Sequence, residues 1–116
     1  MEELLQKAED LGMLLAEHPR FKALMMARDA VRSDQIAKNL MGDYQAQVEK
    51  MQELAIRNRP IEVDDKHRLS ELEQEVASND KLKGLARAQA DFSEVMSRVN
   101  RTIYDKIALV GQPVDD

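Results

Sequence analysis

The sequence has no cysteine and no tryptophan, and only two phenylalanines, two tyrosines, four glycines and three prolines in 116 residues. Each shortage removes a class of protein. Without cysteine there are no disulfides, thiolate zinc sites, cysteine-ligated iron–sulfur clusters or cysteine nucleophiles. Few glycines and prolines leave little turn chemistry, and no strand-like alternation of useful length occurs. No apolar run approaches the roughly 20 residues of a membrane-spanning helix. Met1-Glu2-Glu3 lacks the basic start of a secretory signal. These absences set the expectation of a soluble, cytoplasmic chain. The net charge of −5 adds that the bulk field repels nucleic acid and anionic membranes.

What is present is helical. Hydrophobic residues make up 43% of the chain, enough for a packed core. Leu4, Ala8, Leu11 and Leu15 lie on one face of a helix over Glu2–Glu17, widened by Leu5, Met13 and Ala16. Pro19 ends that helix or kinks it, and suits the first position of a second one running to about Val31. Its apolar candidates are Phe21, Leu24, Met25 and Val31. Ser33 or Asp34 is placed to cap a long third helix to about Asn58, with a stripe of Ile36, Leu40, Tyr44, Val48, Met51 and Leu54. Gly42 inside it reads as a close helix crossing.

Pro60 opens a loop, and Asp64 is the expected cap of a fourth helix over about Asp65–Ala77 with Leu69, Leu72 and Val76 inward. Asp64/Arg68 and Glu62/Lys66 are spaced for ion pairs, and Glu71, Glu73 and Glu75 for a solvated face. A fifth helix spans about Asp80–Val110. The expected architecture is all-α: a bundle of about five helices with two long antiparallel helices and a heptad-like seam. The expected domain is 1–110, with 111–116 a frayed tail.

The seam runs through Leu82, Leu85, Phe92, Met96, Val99, Ile103 and Val110 on alternating three- and four-residue steps, two of which are occupied by Gln89 and Lys106, with Ile107 beside the latter. A helix of this length spans roughly 46 Å, whereas a compact chain of this size has a radius of gyration of only about 13–14 Å. Its far end therefore needs another chain over it. Val95, Met96, Val99, Ile103 and Ile107 are the candidate interface for a homo-oligomer, a dimer or tetramer, or for a partner helix.

Chemistry is sparse. There is no Gly-x-Gly-x-x-Gly, Walker loop or Gly-x-Ser-x-Gly elbow, so no enzyme is expected. Asp64, His67 and Glu71 share a helical face, but a di-iron bundle needs two Glu-x-x-His motifs, so neither a metal nor a cofactor is expected. "AEHPRFKALMMA" from Ala16 recurs in outline as "ASNDKLKGLARA" from Ala77. Each copy breaks a helix and restarts it with basic residues, Arg20 and Lys22 or Lys81 and Lys83. Helix starts attract anions, which makes these four the candidate contacts for RNA or another anion. Shared corner architecture is the simpler reading of the repeat.

The stretch from Ala8 to Gln52 and the stretch from Leu69 to Ile107, with its phrase "ASNDKLKGLARAQADF", resemble the YlbF/YmcA family of bacterial proteins in the order and spacing of their helices and breaks. The resemblance covers about residues 4 to 107 and is nearest to the YheA-like branch. It implies an all-helical, oligomeric, non-catalytic cytoplasmic protein. In the wider family it implies support of competence, sporulation and biofilm formation, within a complex that assists RNase Y in maturing transcripts. Some members of that complex hold iron–sulfur clusters through cysteines, and this chain has none to hold one.

Overall fold

The computed structural model describes residues 1–112. Five helices fill it and no strand occurs among the described residues: α1 Glu2–Glu17, α2 Pro19–Arg32, α3 Gln35–Ile56, α4 Val63–Ser78 and α5 Asp80–Gly111. α3 and α5 are the two long helices expected, at 22 and 32 residues. Gly111 closes α5. The rest of the expected tail lies largely outside the described residues.

The chain forms two compact units. One joins Met1–Leu24 to the chain from Ala88 onward, and the other is Met25–Arg87. Their boundary falls inside α2 and α5 rather than in a linker.

The second unit is organised by α3 packing on α4. Asp34 caps α3, as its position predicts, by accepting the N–H of Ala37 at 2.9 Å. α3 ends with Asn58 in the left-handed region, φ 54°. The N–H of Arg59 then reaches the carbonyl of Leu54 and that of Asn58 the carbonyl of Ala55. This is a Schellman ending, with Asn rather than Gly at the position that must turn left-handed. Pro60 follows and cannot continue the helix.

α4 starts earlier than its spacing predicts. Glu62 is the cap residue and makes no side-chain capping bond, and Asp64 lies inside the first turn, where acids favour the dipole. The expected pairs Asp64/Arg68 and Glu62/Lys66 give way to others. Arg68 approaches Glu71 at 4.0 Å, and Lys50 on α3 meets Asp65 at 2.8 Å. Gln47 Nε2 donates to the carbonyl of Asp65 at 3.0 Å, so two α3 side chains grip the first turn of α4. That contact across helices outbids the local i, i+4 geometry.

The core of this unit is Val31, Ala37, Leu72, Leu82 and Leu85. Leu72 is its largest fully buried side chain, at 1% exposure. The stripe of α3 departs from the expected one only at its start: Ile36 is exposed and Ala37 buried, while Leu40, Tyr44, Val48, Met51 and Leu54 are half-buried as their spacing predicts. An alanine without a Cγ lets a neighbouring helix approach closely, and apolarity alone does not distinguish it from Ile36. Gly42 is exposed and a Cβ there would meet nothing within 4 Å, so it marks no crossing among the described residues.

Truncating Leu72 to alanine is expected to cost about 2–5 kcal/mol in urea unfolding, because the cavity cannot refill from a fully packed site. The Lys50–Asp65 pair sets a pH window. Its hydrogen bond to Lys50 holds the Asp65 carboxyl below its ordinary value of 3.8, and the same bond holds Lys50 above 10.5. A depressed carboxylate contributes stability above its unfolded pKa and loses it as pH falls through the folded value. A raised ammonium contributes below its unfolded pKa and loses it as pH rises through the folded value. The stability gap between the native chain and Asp65→Asn is therefore expected to stay level from about pH 5 to about pH 9 and to close toward acid. Urea midpoints across that range measure it.

Candidate functional site

In the first unit, a single junction aligns α1, the start of α2 and distal α5. His18 is extended at φ −66°, ψ 137°, which separates α1 from α2 rather than kinking one helix. Its imidazole Nδ1 accepts the N–H of Arg20 at 3.1 Å, so histidine serves as the cap ahead of Pro19. Arg20 then reaches across to α5. Its guanidinium donates to the carbonyl of Asp91 at 3.2 Å and lies 3.4 Å from Glu94. One residue on, the rings of Phe21 and Phe92 stand 5.4 Å apart and tilted at 58°, a favourable aromatic geometry. Leu24 and Ala88 are buried beside this contact level.

The second corner repeats the first. Asn79 is extended at φ −83°, ψ 120°, and its Oδ1 accepts the N–H of Leu82 at 3.0 Å. The backbone bonds match as well: His18 N–H to Leu15 and Asn79 N–H to Val76 close the preceding helices, while Lys22 N–H to His18 and Lys83 N–H to Asn79 open the next. The repeated phrase encodes a helix corner with interchangeable caps.

This geometry bears on the four basic candidates. Lys22, Lys81 and Lys83 are exposed, whereas Arg20 is half-buried and engaged by Glu94 and Asp91. At both helix starts a side-chain acceptor already occupies a backbone donor an anion would use. Arg20 and Lys22 belong to one unit, Lys81 and Lys83 to the other. His67 is exposed on α4, and among the described residues no group of three His, Asp or Glu is placed to hold a metal ion.

The candidate interface residues lie along a gradient. Val95, Met96 and Val99 are half-buried, Ile103 is 45% exposed and Ile107 60% exposed. Leu11 of α1 lines a shallow cleft of about 360 Å³ with Val99 and Ile103, so α1 lies beside α5 there. Beyond it the cover fails. Tyr104, Leu109 and Val110 are exposed on α5, and Leu4, Leu5, Met13 and Leu14 on α1. α1 has no buried residue at all. The periodicity of α1 located its apolar face but could not show how little of it is covered among the described residues: Leu11 and Leu15 are half-buried, Leu4 and Ala8 exposed.

A second cleft, of about 520 Å³, lies in the other unit between the start of α3 and the end of α4. Ile36 and Leu40 form its apolar side, and Asp43 and Glu75 its acidic side. No side-chain polar atom is buried without a partner among the described residues. No described helix is long and apolar enough to cross a membrane.

A family model described as "Control of competence regulator ComK, YlbF/YmcA" matches residues 4–108. A UPF0342 protein of Streptococcus pyogenes serotype M4 is 25% identical over 103 residues, which covers 89% of this chain and 91% of that one. A UPF0342 protein of serotype M5 is 24% identical over the same length, with the same coverage. Among solved structures, Bacillus subtilis RicA in complex with RicF superposes with a TM-score of 0.79 at 15% identity, covering 95% of this chain and 97% of that one. A DUF964 protein of unknown function from Bacillus stearothermophilus gives 0.77 at 18% identity, covering 97% and 99%. At these identities the structures establish a shared helical fold.

Replacing His18 by alanine is expected to cost about 1 kcal/mol, the loss of one cap, while His18→Asn keeps most of it because Asn79 does the same work at the second corner. Asn79→Ala is expected to cost a similar amount. Urea unfolding of the three variants reads these differences.

Proposed function

The chain belongs to the YlbF/YmcA family, and on that premise we propose that it is a non-catalytic helical adaptor, a homo-oligomer that regulates RNA processing and development in the bacterial cytoplasm. The observation that carries this reading is the bare apolar arm, with Ile103 and Ile107 continuing a seam whose upstream members are covered. An exposed apolar surface shared by two helices is costly in water unless another protein covers it. Support comes also from the family model, whose description is regulatory, and from RicA, which shares the fold and was solved in complex with RicF. The interface assigned to the oligomer is Val95, Met96, Val99, Ile103 and Ile107. Further partners would be proteins of an RNase-associated complex. A place in the YheA-like branch agrees with the short, cysteine-free chain.

Direct binding of RNA or another polyanion through Arg20, Lys22, Lys81 and Lys83 draws less support, because Arg20 is committed to Glu94 and Asp91. Affinity purification from the native host followed by mass spectrometry tests the adaptor reading. Co-purification of RNase Y components supports it, and recovery of the chain with no partner of any kind counts against it. Self-association has its own measurement. Ile103→Asp combined with Ile107→Asp is expected to yield a monomer of 13.2 kDa by light scattering, with the helical circular dichroism of the native chain retained. An oligomer of unchanged mass in that variant would move the interface elsewhere.

A further inference from the structure

The packed pair α3 and α4 carries different electrostatics at its two ends. Near the end of α3 a base meets an acid across the pair, Lys50 with Asp65 at 2.8 Å. At the other end, the start of α3 and the end of α4 line the cleft of about 520 Å³, and the charged groups in it are acids from both helices, Asp43 and Glu75. Neither makes an ion pair among the described residues. A smaller cleft continues along α4 and adds Glu71. No lysine or arginine lines either one.

Folding by itself does not favour this arrangement. Like charges on neighbouring helices repel. Glu75 stands in the last turn of α4, where the dipole favours cations and no base is present. The opposite dipole end, at the start of α3, is already met by the carboxylate of Asp34. The apolar wall of the cleft is unsatisfied too: Ile36 is 74% exposed beside the half-buried Leu40. A cation set next to an apolar group answers both walls at once.

The occupant has to satisfy its own backbone. The Ser78 hydroxyl donates to the carbonyl of Gln74 at 2.8 Å, and Asn79 Oδ1 accepts the N–H of Leu82, so these lining groups are already engaged. A helix meets that requirement, and a groove between two helices is a surface a third can enter. From Ile36 to Asp43 the axis of α3 advances roughly 10 Å, the length of about two helical turns. The acidic lining repels nucleic acid and anionic lipid, which leaves a basic protein segment as the occupant.

We propose that the cleft between the start of α3 and the end of α4 docks a helix of a partner protein that presents lysine or arginine one turn from an apolar side chain, the apolar group on Ile36 and Leu40 and the cation between Asp43 and Glu75. This rests on the adaptor reading above and gives its partner a surface in the unit Met25–Arg87, where none of the residues assigned to self-association lies.

The probe is an alanine-based peptide of about 16 residues, long enough to be helical, with leucine and lysine at i, i+4 spacing on one face. Titrated into the isotope-labelled full-length chain, it is expected to shift the amides of residues 36–43 and 75–79 by nuclear magnetic resonance. A peptide of the same composition with leucine and lysine on opposite faces, and one with glutamate for lysine, are expected to leave them in place. Asp43→Asn/Glu75→Gln is expected to weaken binding about tenfold, and Ile36→Ser by a similar factor. All three side chains are exposed, and circular dichroism checks that the helices persist. Should a variant unfold, the glutamate peptide on the native chain still decides the sign. Equal binding of the three peptides, shifts centred elsewhere, or no binding overturns the proposal, as does a variant whose lowered mass in light scattering makes the occupant a second copy. Failure with the mass unchanged leaves the adaptor reading and its oligomer standing. A monomeric chain that binds the lysine peptide at this cleft supports the docking site and removes the oligomer.

Discussion

An α-helix buries only as much apolar surface as its neighbours can reach, and α5 carries more than its own chain can cover. Its stripe is fully buried at Leu82, Leu85 and Ala88, half-buried from Phe92 to Val99, and bare from Ile103 to Val110. The pattern does not change along the helix; the supply of covering helices does. The early part lies where other elements are close enough to exclude water. The later part has α1 alone beside it, and α1 is itself left without a buried residue. The adaptor reading follows from this shortfall, since the unburied remainder of a regular stripe is an apolar surface at helical spacing, ready for another helix.

The two corners make that layout possible. A helix that stops and restarts within one residue must satisfy the free N–H groups of its new first turn. His18 does so with an imidazole nitrogen, two residues on, and Asn79 with an amide oxygen, three residues on, and the backbone bonds that close the preceding helix and open the next match at both corners. The residues that follow, Phe21 with Leu24 and Leu82 with Leu85, bring apolar groups inward at the same offsets. The recurrence of the phrase thus has a structural cause. The basic residues within it are left facing water at three positions, and at the fourth, Arg20, tied to α5 through Glu94 and Asp91.

Most of the helix plan was legible because it rests on neighbours in sequence. Pro19, Asp34, Pro60 and Asn79 each act within four residues, and the helices they bound lie close to where their spacing places them. The departures share a cause. Asp64 was displaced from its capping role because Lys50 and Gln47, some fifteen residues earlier, draw the chain at Asp65 onto α3 and α4 begins sooner. Ala37 rather than Ile36 is the inward residue at the start of α3, a choice that apolarity alone does not make. Gly42 looked like a crossing and is open to solvent. At the candidate site, the apolar stripe of α5 was legible from the seam, whereas the exposure of most of α1 was not, because an apolar face reads the same whether covered or uncovered.

The sequence by itself determined the all-helical class, the positions of the breaks, the caps at Asp34 and Asn79 and the identity of the α5 stripe, for these depend on hydrogen bonds and periodicities that close within one or two turns. Only the tertiary structure decided that Arg20 is spoken for by Glu94 and that the α5 stripe runs out of cover near Ile103. Those outcomes depend on which groups meet across gaps of tens of residues, and the free energy of burial belongs to the meeting, not to either residue alone.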